Sequence, residues 1–195
     1  MMVKGFGFKA LHKKQSEKGA TLIEAALFTV LALGTIIGGI VFFQQASISA
    51  KTNEMVRTMA SLQTQVRALF QTQATFGTTG INSLLIASNA APSNILEDSD
   101  NDGTMDALVH GFGGSITVTG ATRQFTIAMA DVPVGVCTRI IPFDESGNGT
   151  IGSGIASVTD GTATDTDGIT SGSAESFCTT NASSGEVSLT WTFDR

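Results

Sequence analysis

Hydrophobic and polar positions divide the chain into three regimes. From Ala25 to Phe43 nineteen consecutive residues carry no formal charge, and most are apolar. At about 1.5 Å rise per residue a helix of that length spans the hydrocarbon of a bilayer. Beyond Phe43 the pattern narrows to one stripe. Ile48, Thr52, Met55, Met59, Leu62, Val66 and Leu69 recur at alternating steps of four and three, while Lys51, Asn53, Glu54, Arg57, Gln63 and Arg67 occupy the other faces. No Pro or Gly interrupts Gln44 to Phe70. These features predict one continuous helix from about Ala20 to Phe70, apolar all round in its first half, 20–43, and amphipathic in its second.

Residues 71–111 change texture. Thr, Ser, Asn and Ala dominate up to Asn94, with a short apolar patch at Leu84-Leu85-Ile86, so a loop with one short helix is expected. From Phe112 the period becomes two. Ile116 and Val118 alternate with Thr117 and Thr119, a turn follows at Gly120-Ala121-Thr122-Arg123, and Phe125, Ile127 and Met129 alternate again, which predicts a hairpin. Asp131-Val132-Pro133 would start a short helix carrying Cys137, since Pro suits a first turn. Arg139 to Phe143 reads as a further strand. Val187, Leu189, Trp191 and Phe193 alternate with polar neighbours in a half-buried closing strand. Between Asp144 and Ser176 the only apolar anchors beyond small residues are Ile151, Ile155, Val158 and Ile169, so this stretch reads as a surface loop that needs help to order. The expected fold is α+β, a long N-terminal helix on an antiparallel sheet formed within 112–195.

Charge adds direction. Residues 1–19 hold five lysines and one acid, whereas residues 20–195 hold six Lys and Arg against sixteen Asp and Glu. A basic cluster ahead of the first apolar segment keeps that end in the cytoplasm and sends the remainder across the membrane. The acidic remainder excludes a nucleic-acid-binding stripe. Cys137 and Cys178 then lie in an oxidising compartment, where an even count favours one disulfide; two buried free thiols are the other reading. Closing about 40 residues would contribute roughly 4 kcal/mol as an upper guide.

Three local features bear on function. Glu24 stands at the mouth of the apolar run, where a carboxylate is costly unless something pairs with it. Gly34, Gly38 and Gly39 each weaken a helix by up to about 1 kcal/mol relative to Ala, giving a softened segment. Gly34 and Gly38 also have GxxxG spacing, which allows close helix approach but equally reflects ordinary glycine use in membrane helices. Asp98, Asp100, Asp102, Thr104 and Asp106 match most of an EF-hand-type calcium loop, with Gly103 at the turn. The twelfth position is Val109 rather than Glu. A Ca2+ site and a solvated acidic turn are both open readings. Catalysis is not expected: His12 lies in the leader, and no Cys-His, Ser-His-Asp or zinc spacing surrounds His110. No resident cofactor is expected.

The junction Gly19-Ala20-Thr21-Leu22-Ile23-Glu24, behind Lys13-Lys14 and Lys18, resembles the processing site of type IV prepilins. Gly113-Gly114-Ser115-Ile116-Thr117-Val118, Phe125-Thr126-Ile127, Val132-Pro133 and Cys137 look like the sheet and first disulfide cysteine of type IVb pilins, particularly the major pilins of conjugative thin pili. The resemblance implies a cleaved leader, 1–19, removed by a prepilin peptidase between Gly19 and Ala20. It implies N-methylation of Ala20, and assembly through Thr21 and Glu24 into a homopolymer by inner-membrane machinery. It further implies a filament that starts in the inner membrane of a Gram-negative cell, ends outside it, and touches host or recipient cell surfaces. Ala20 and the acidic loop from Asp98 depart from the family's pattern. A type II secretion pseudopilin shares the junction, and a secreted or membrane-anchored binding protein is the second rival. An ordinary signal peptide has a shorter apolar region of about 7–15 residues.

Overall fold

A computed structural model describes residues 21–78 and 80–195. The leader and the Gly19-Ala20 junction lie outside them. The elements, in chain order, are α1 (Leu22–Leu69), α2 (Asn82–Ala87), β1 (Leu96–Glu97), β2 (Ala107–Leu108), β3 (Ile116–Gly120), β4 (Gln124–Pro133), α3 (Val134–Ile140), β5 (Asn148–Gly149), β6 (Gly152–Ser153), β7 (Ile155–Thr159), β8 (Thr164–Asp165), α4 (Ala174–Thr180) and β9 (Glu186–Asp194). Two compact units divide the chain, Met1–Gln44 and Gln45–Arg195.

In the first unit, the described residues are the start of α1. Every side chain from Leu22 to Gln44 is exposed. This is the stretch apolar and long enough to cross a membrane.

The second unit is built on a five-stranded antiparallel sheet in the order β3-β4-β9-β7-β8. Register explains its core. Ile116 pairs with Met129 and Val118 with Ile127; Phe125, Ile127 and Met129 pair in turn with Phe193, Trp191 and Leu189. Ile155 and Val158 extend the same rows from β7. Each of these side chains is buried, as period-two alternation on a one-sided sheet requires. The α1 stripe supplies the other layer: Thr52, Met55, Met59, Leu62 and Val66 are buried, and Met55 lines one small cavity with Ile116 and Met129. Thr52 interrupts the stripe without leaving an orphan polar group, because its hydroxyl donates to the Ile48 carbonyl (2.7 Å). Ile48, expected on the same stripe, is exposed, and Leu69 is half-buried.

An aromatic row closes one end of the core. Phe70, Phe76, Phe125 and Phe193 follow one another at centroid distances of 5.5, 5.1 and 5.1 Å. Gly120 makes room for it, since a Cβ there would collide with the Phe76 carbonyl. The Arg195 guanidinium donates to the carbonyls of Gln73 (2.5 Å) and Ala74 (2.7 Å), tying the loop that carries Phe76 to the end of β9.

Two expectations are corrected. Arg139 to Phe143 is not a strand, whereas the expected short helix carrying Cys137 is present, with Pro133 as its N-cap. β4 continues through Pro133, helped by a bulge between Met129 and Val132 at which Asp131 takes φ of 54°, and helix α3 begins at Val134. Val136, Cys137 and Ile140 are buried at helical spacing, which a continuous apolar run conceals. The second correction concerns 144–176. That stretch is not a loop lying over the sheet but part of it: β7 is an inner strand between β9 and β8. A register shift between Ile155 and Ser157 places Ile155 and Val158, three apart, on one face, so the alternation that would mark the strand is broken. All four of its apolar anchors, Ile151, Ile155, Val158 and Ile169, are buried.

Candidate functional site

Thr21 and Glu24 sit at the described start of α1. The Glu24 N–H donates to the Thr21 hydroxyl at 3.4 Å, the N-cap arrangement in which a side-chain oxygen receives the third backbone donor of the helix. Thr21-Leu22-Ile23-Glu24 is also a T-x-x-E capping-box sequence, a signal the sequence reading did not use. Both residues are exposed, and their neighbours Leu22 and Ile23 are among the most exposed apolar side chains described. An acid at a helix N-terminus is favourable on its own account. Beyond it lies an apolar surface that no described residue of this unit covers. A Cβ placed on Gly34, Gly38 or Gly39 would meet no described atom within 4 Å, so none of the described residues requires glycine there.

Cys137 and Cys178 form a disulfide with Cα atoms 6.0 Å apart. The bond joins α3 to α4, and both sulfurs are buried. Because α3 follows β4 directly and α4 precedes β9, the bond fastens the polar 144–176 excursion at both ends. Asp160 stabilises its far side: the carboxylate accepts from the N–H groups of Thr162 (3.0 Å) and Ala163 (2.7 Å) and from Asn181 (2.7 Å).

His110 is 4% exposed. Its Nε2 lies 2.7 Å from the Ala130 carbonyl, and Nδ1 faces the Phe112 N–H at 3.3 Å. Both contacts are satisfied by the neutral ring with its proton on Nε2, donating to Ala130 and accepting from Phe112. Burial lowers its pKa, against opposing effects from the Ala130 hydrogen bond, Asp131 and Glu186. Gly114 is pressed against the same contact, since a Cβ there would collide with the Ala130 carbonyl. The ring clasps the Gly111–Gly114 turn to β4.

In the acidic loop, Asp98, Asp100 and Asp102 bring one carboxylate oxygen each within 4.8 Å of one another. Asp106 is engaged elsewhere, accepting from the Ser99 N–H (2.8 Å) and hydroxyl (2.7 Å), bonds that lower its pKa. Thr104 donates its hydroxyl and its N–H to Asp102, lowering that pKa likewise. The backbone N–H of Gly103 donates to Asp98 (2.8 Å), and that of Asp102 lies between Asp98 and Asp100. Val109 bridges to Ser115 in the sheet region. Of the five sequence-selected positions, the structure therefore gathers three.

Residues 49–193 match the family described as PilS N terminal. The chain belongs to the PilS N-terminal family. This family match covers most of the folded unit, including the disulfide. The PilS-type chain is also 28% identical over 116 residues to the major structural subunit of the bundle-forming pilus of Escherichia coli O127:H6 (strain E2348/69 / EPEC), covering 60% of this chain and 56% of that protein. The corresponding subunit from Escherichia coli O111:H- matches to the same extent. The chain thus spans about half the length of these relatives. Among solved structures, the type IV b pilin from Salmonella typhi superposes with a TM-score of 0.54 at 20% identity, covering 72% of this chain and 97% of that one. At that identity the likeness concerns the fold, a long helix on an antiparallel sheet.

Proposed function

We propose that this chain is a structural subunit of a type IVb-like pilus, polymerised through its N-terminal helix into an extracellular filament. The observation that carries the reading is the wholly exposed apolar start of α1, attached through the same helix to a folded unit of PilS N-terminal type. So large an apolar surface is not stable in water and requires lipid or copies of itself. A membrane holds the helix before assembly, and the filament core holds it afterwards. The relationship to a bundle-forming pilus subunit supports the same assignment. A subunit of this kind needs no catalytic residues.

In this reading a prepilin peptidase cuts between Gly19 and Ala20, Ala20 becomes the N-methylated terminus, and inner-membrane machinery adds subunits to the fibre. Outside the cell the fibre meets host or recipient cell surfaces. Glu24 pairs with the Ala20 amine of the adjacent subunit. An isolated carboxylate in a low-dielectric core costs several kcal/mol, and an amine facing it offsets part of both desolvation penalties while setting axial register. The test is Glu24→Ala in the full chain. N-terminal sequencing and mass should show normal cleavage and methylation, while pili sheared from the cell surface fall to background. Normal pilus yield from the processed variant refutes the pairing. Short envelope-bound assemblies in place of extended surface filaments from the unaltered chain point instead to a secretion pseudopilin.

A further inference from the structure

Among the described residues of Gln45–Arg195, three large apolar side chains stand out as exposed: Ile48 (47%), Leu84 (43%) and Met105 (50%). Ile48 and Met105 occupy complementary settings. Ile48 forms one wall of an open groove of about 510 Å3 between α1 and the start of α3. Phe112, Pro133 and Val136 supply its apolar lining, and Arg139, which is exposed, stands at its edge. Lys51 adds a second cation on the same side, with Nζ 5.5 Å from the centroid of the Phe112 ring. Met105 has the reverse surroundings. Between Glu97 and Asp106 there are five carboxylates and no Lys or Arg, and Met105 is the exposed apolar residue in their midst.

Cations are scarce in this unit, which contains six against fifteen Asp and Glu. Arg67 donates to the carbonyls of Ser153 (3.3 Å) and Asp194 (2.8 Å), and Arg195 to those of Gln73 and Ala74. Lys51 and Arg139 are thus a large share of what is left to meet an acidic partner, and both flank the groove.

We propose that Met105 on the acidic loop of one copy seats in the Ile48–Phe112–Val136 groove of a neighbouring copy, with Lys51 and Arg139 facing the loop's carboxylates. This contact rests on the filament reading. Loop and groove are different surfaces, so the contact is heterologous, and repeating it propagates a chain of copies rather than closing a dimer. Opposite potentials choose the partner and register, and the apolar knob supplies contact at the centre.

The test uses the full chain in cells that display filaments. An Ile48→Cys, Met105→Cys double variant, oxidised in sheared filaments, should give a ladder of dimers, trimers and larger species on a non-reducing gel. Each single variant alone should give no ladder. The buried Cys137–Cys178 bond leaves the native sulfurs out of the exchange. Filaments that form without a ladder overturn the contact. Absence of filaments from the unaltered chain would overturn the filament reading instead. A second variant, Arg139→Glu, should lower filament yield about tenfold or more, equivalent to about 1.4 kcal/mol, with an unchanged monomer melting temperature. Undiminished yield from that variant also overturns the contact.

Discussion

His110 illustrates how one residue can acquire a role that its type does not announce. A lone histidine in a sequence without partners reads as structural or exposed; the structure makes it a clasp, neutral, buried and bonded at both ring nitrogens. Its pH dependence follows from the depressed pKa. The ordinary value is 6.5, the folded value lies below it, and between the two the unfolded chain binds the extra proton. The clasp's stability is therefore complete above about pH 6.5 and is lost as pH falls towards the folded value, at no more than about 1.4 kcal/mol per pH unit. Urea unfolding of the wild type and His110→Gln at about pH 7.5 and about pH 5 checks this. The variant should be the less stable protein at the higher pH, and the gap should narrow at the lower one. A constant gap rejects the argument.

At the scale of elements, the disulfide and the polar excursion it brackets are the main case. Composition alone suggests that 144–176 lacks enough apolar surface to order, yet four buried isoleucine and valine side chains and an inner-strand position for β7 recruit it into the sheet. Long-range pairing with β9 supplies what local hydrophobicity lacks. With the loop entropy of 41 residues removed from the unfolded chain, the bond should contribute up to roughly 4 kcal/mol. The expected outcome of Cys137→Ser/Cys178→Ser is a marked fall in melting temperature, with the wild type under reductant behaving alike. Hydrogen exchange should rise first in α3, α4 and β7, while β3 and β4, held by their own hairpin, stay protected. Uniform loosening of the sheet would show that the bond does not act locally. The hairpin and β9 were legible in advance because strict alternation survives in them, and the start of α3 because Pro133 marks it; the run of α3 through Ile140 and the strand β7 were not, because a continuous apolar run and a register shift after Ile155 disguise the period.

At the scale of the whole molecule, the question is what covers the apolar start of α1. The three glycines within it offer a measurement. None of the described residues occupies the space beside Gly34, Gly38 or Gly39, so replacing all three by Ala meets no steric cost there and strengthens the helix by up to about 1 kcal/mol at each position. Detergent-solubilised monomer should therefore melt no lower than wild type. The resemblance to type IV pilins implies that this segment partly unwinds when packed into the proposed filament; on that reading the substitutions stiffen it, and a cryo-microscopy map of the variant fibre should show altered helix path or subunit rise. An unchanged fibre would mean that the glycines have no part in assembly.

The sequence by itself determined the long helix, its division into an apolar and an amphipathic half, the hairpin, the closing strand and the cysteine pair available for bonding. Each of these is written in local periodicity, charge placement or residue type, which survive without knowledge of distant partners. The tertiary structure decided the rest: that β9 lies between β4 and β7, that three of the acidic-loop carboxylates converge while Asp106 turns to Ser99, that His110 is a buried clasp, and that Ile48 faces a groove rather than the core. Those outcomes depend on contacts between residues far apart in the chain, where strand register and competition for hydrogen bonds, not local propensity, set the result.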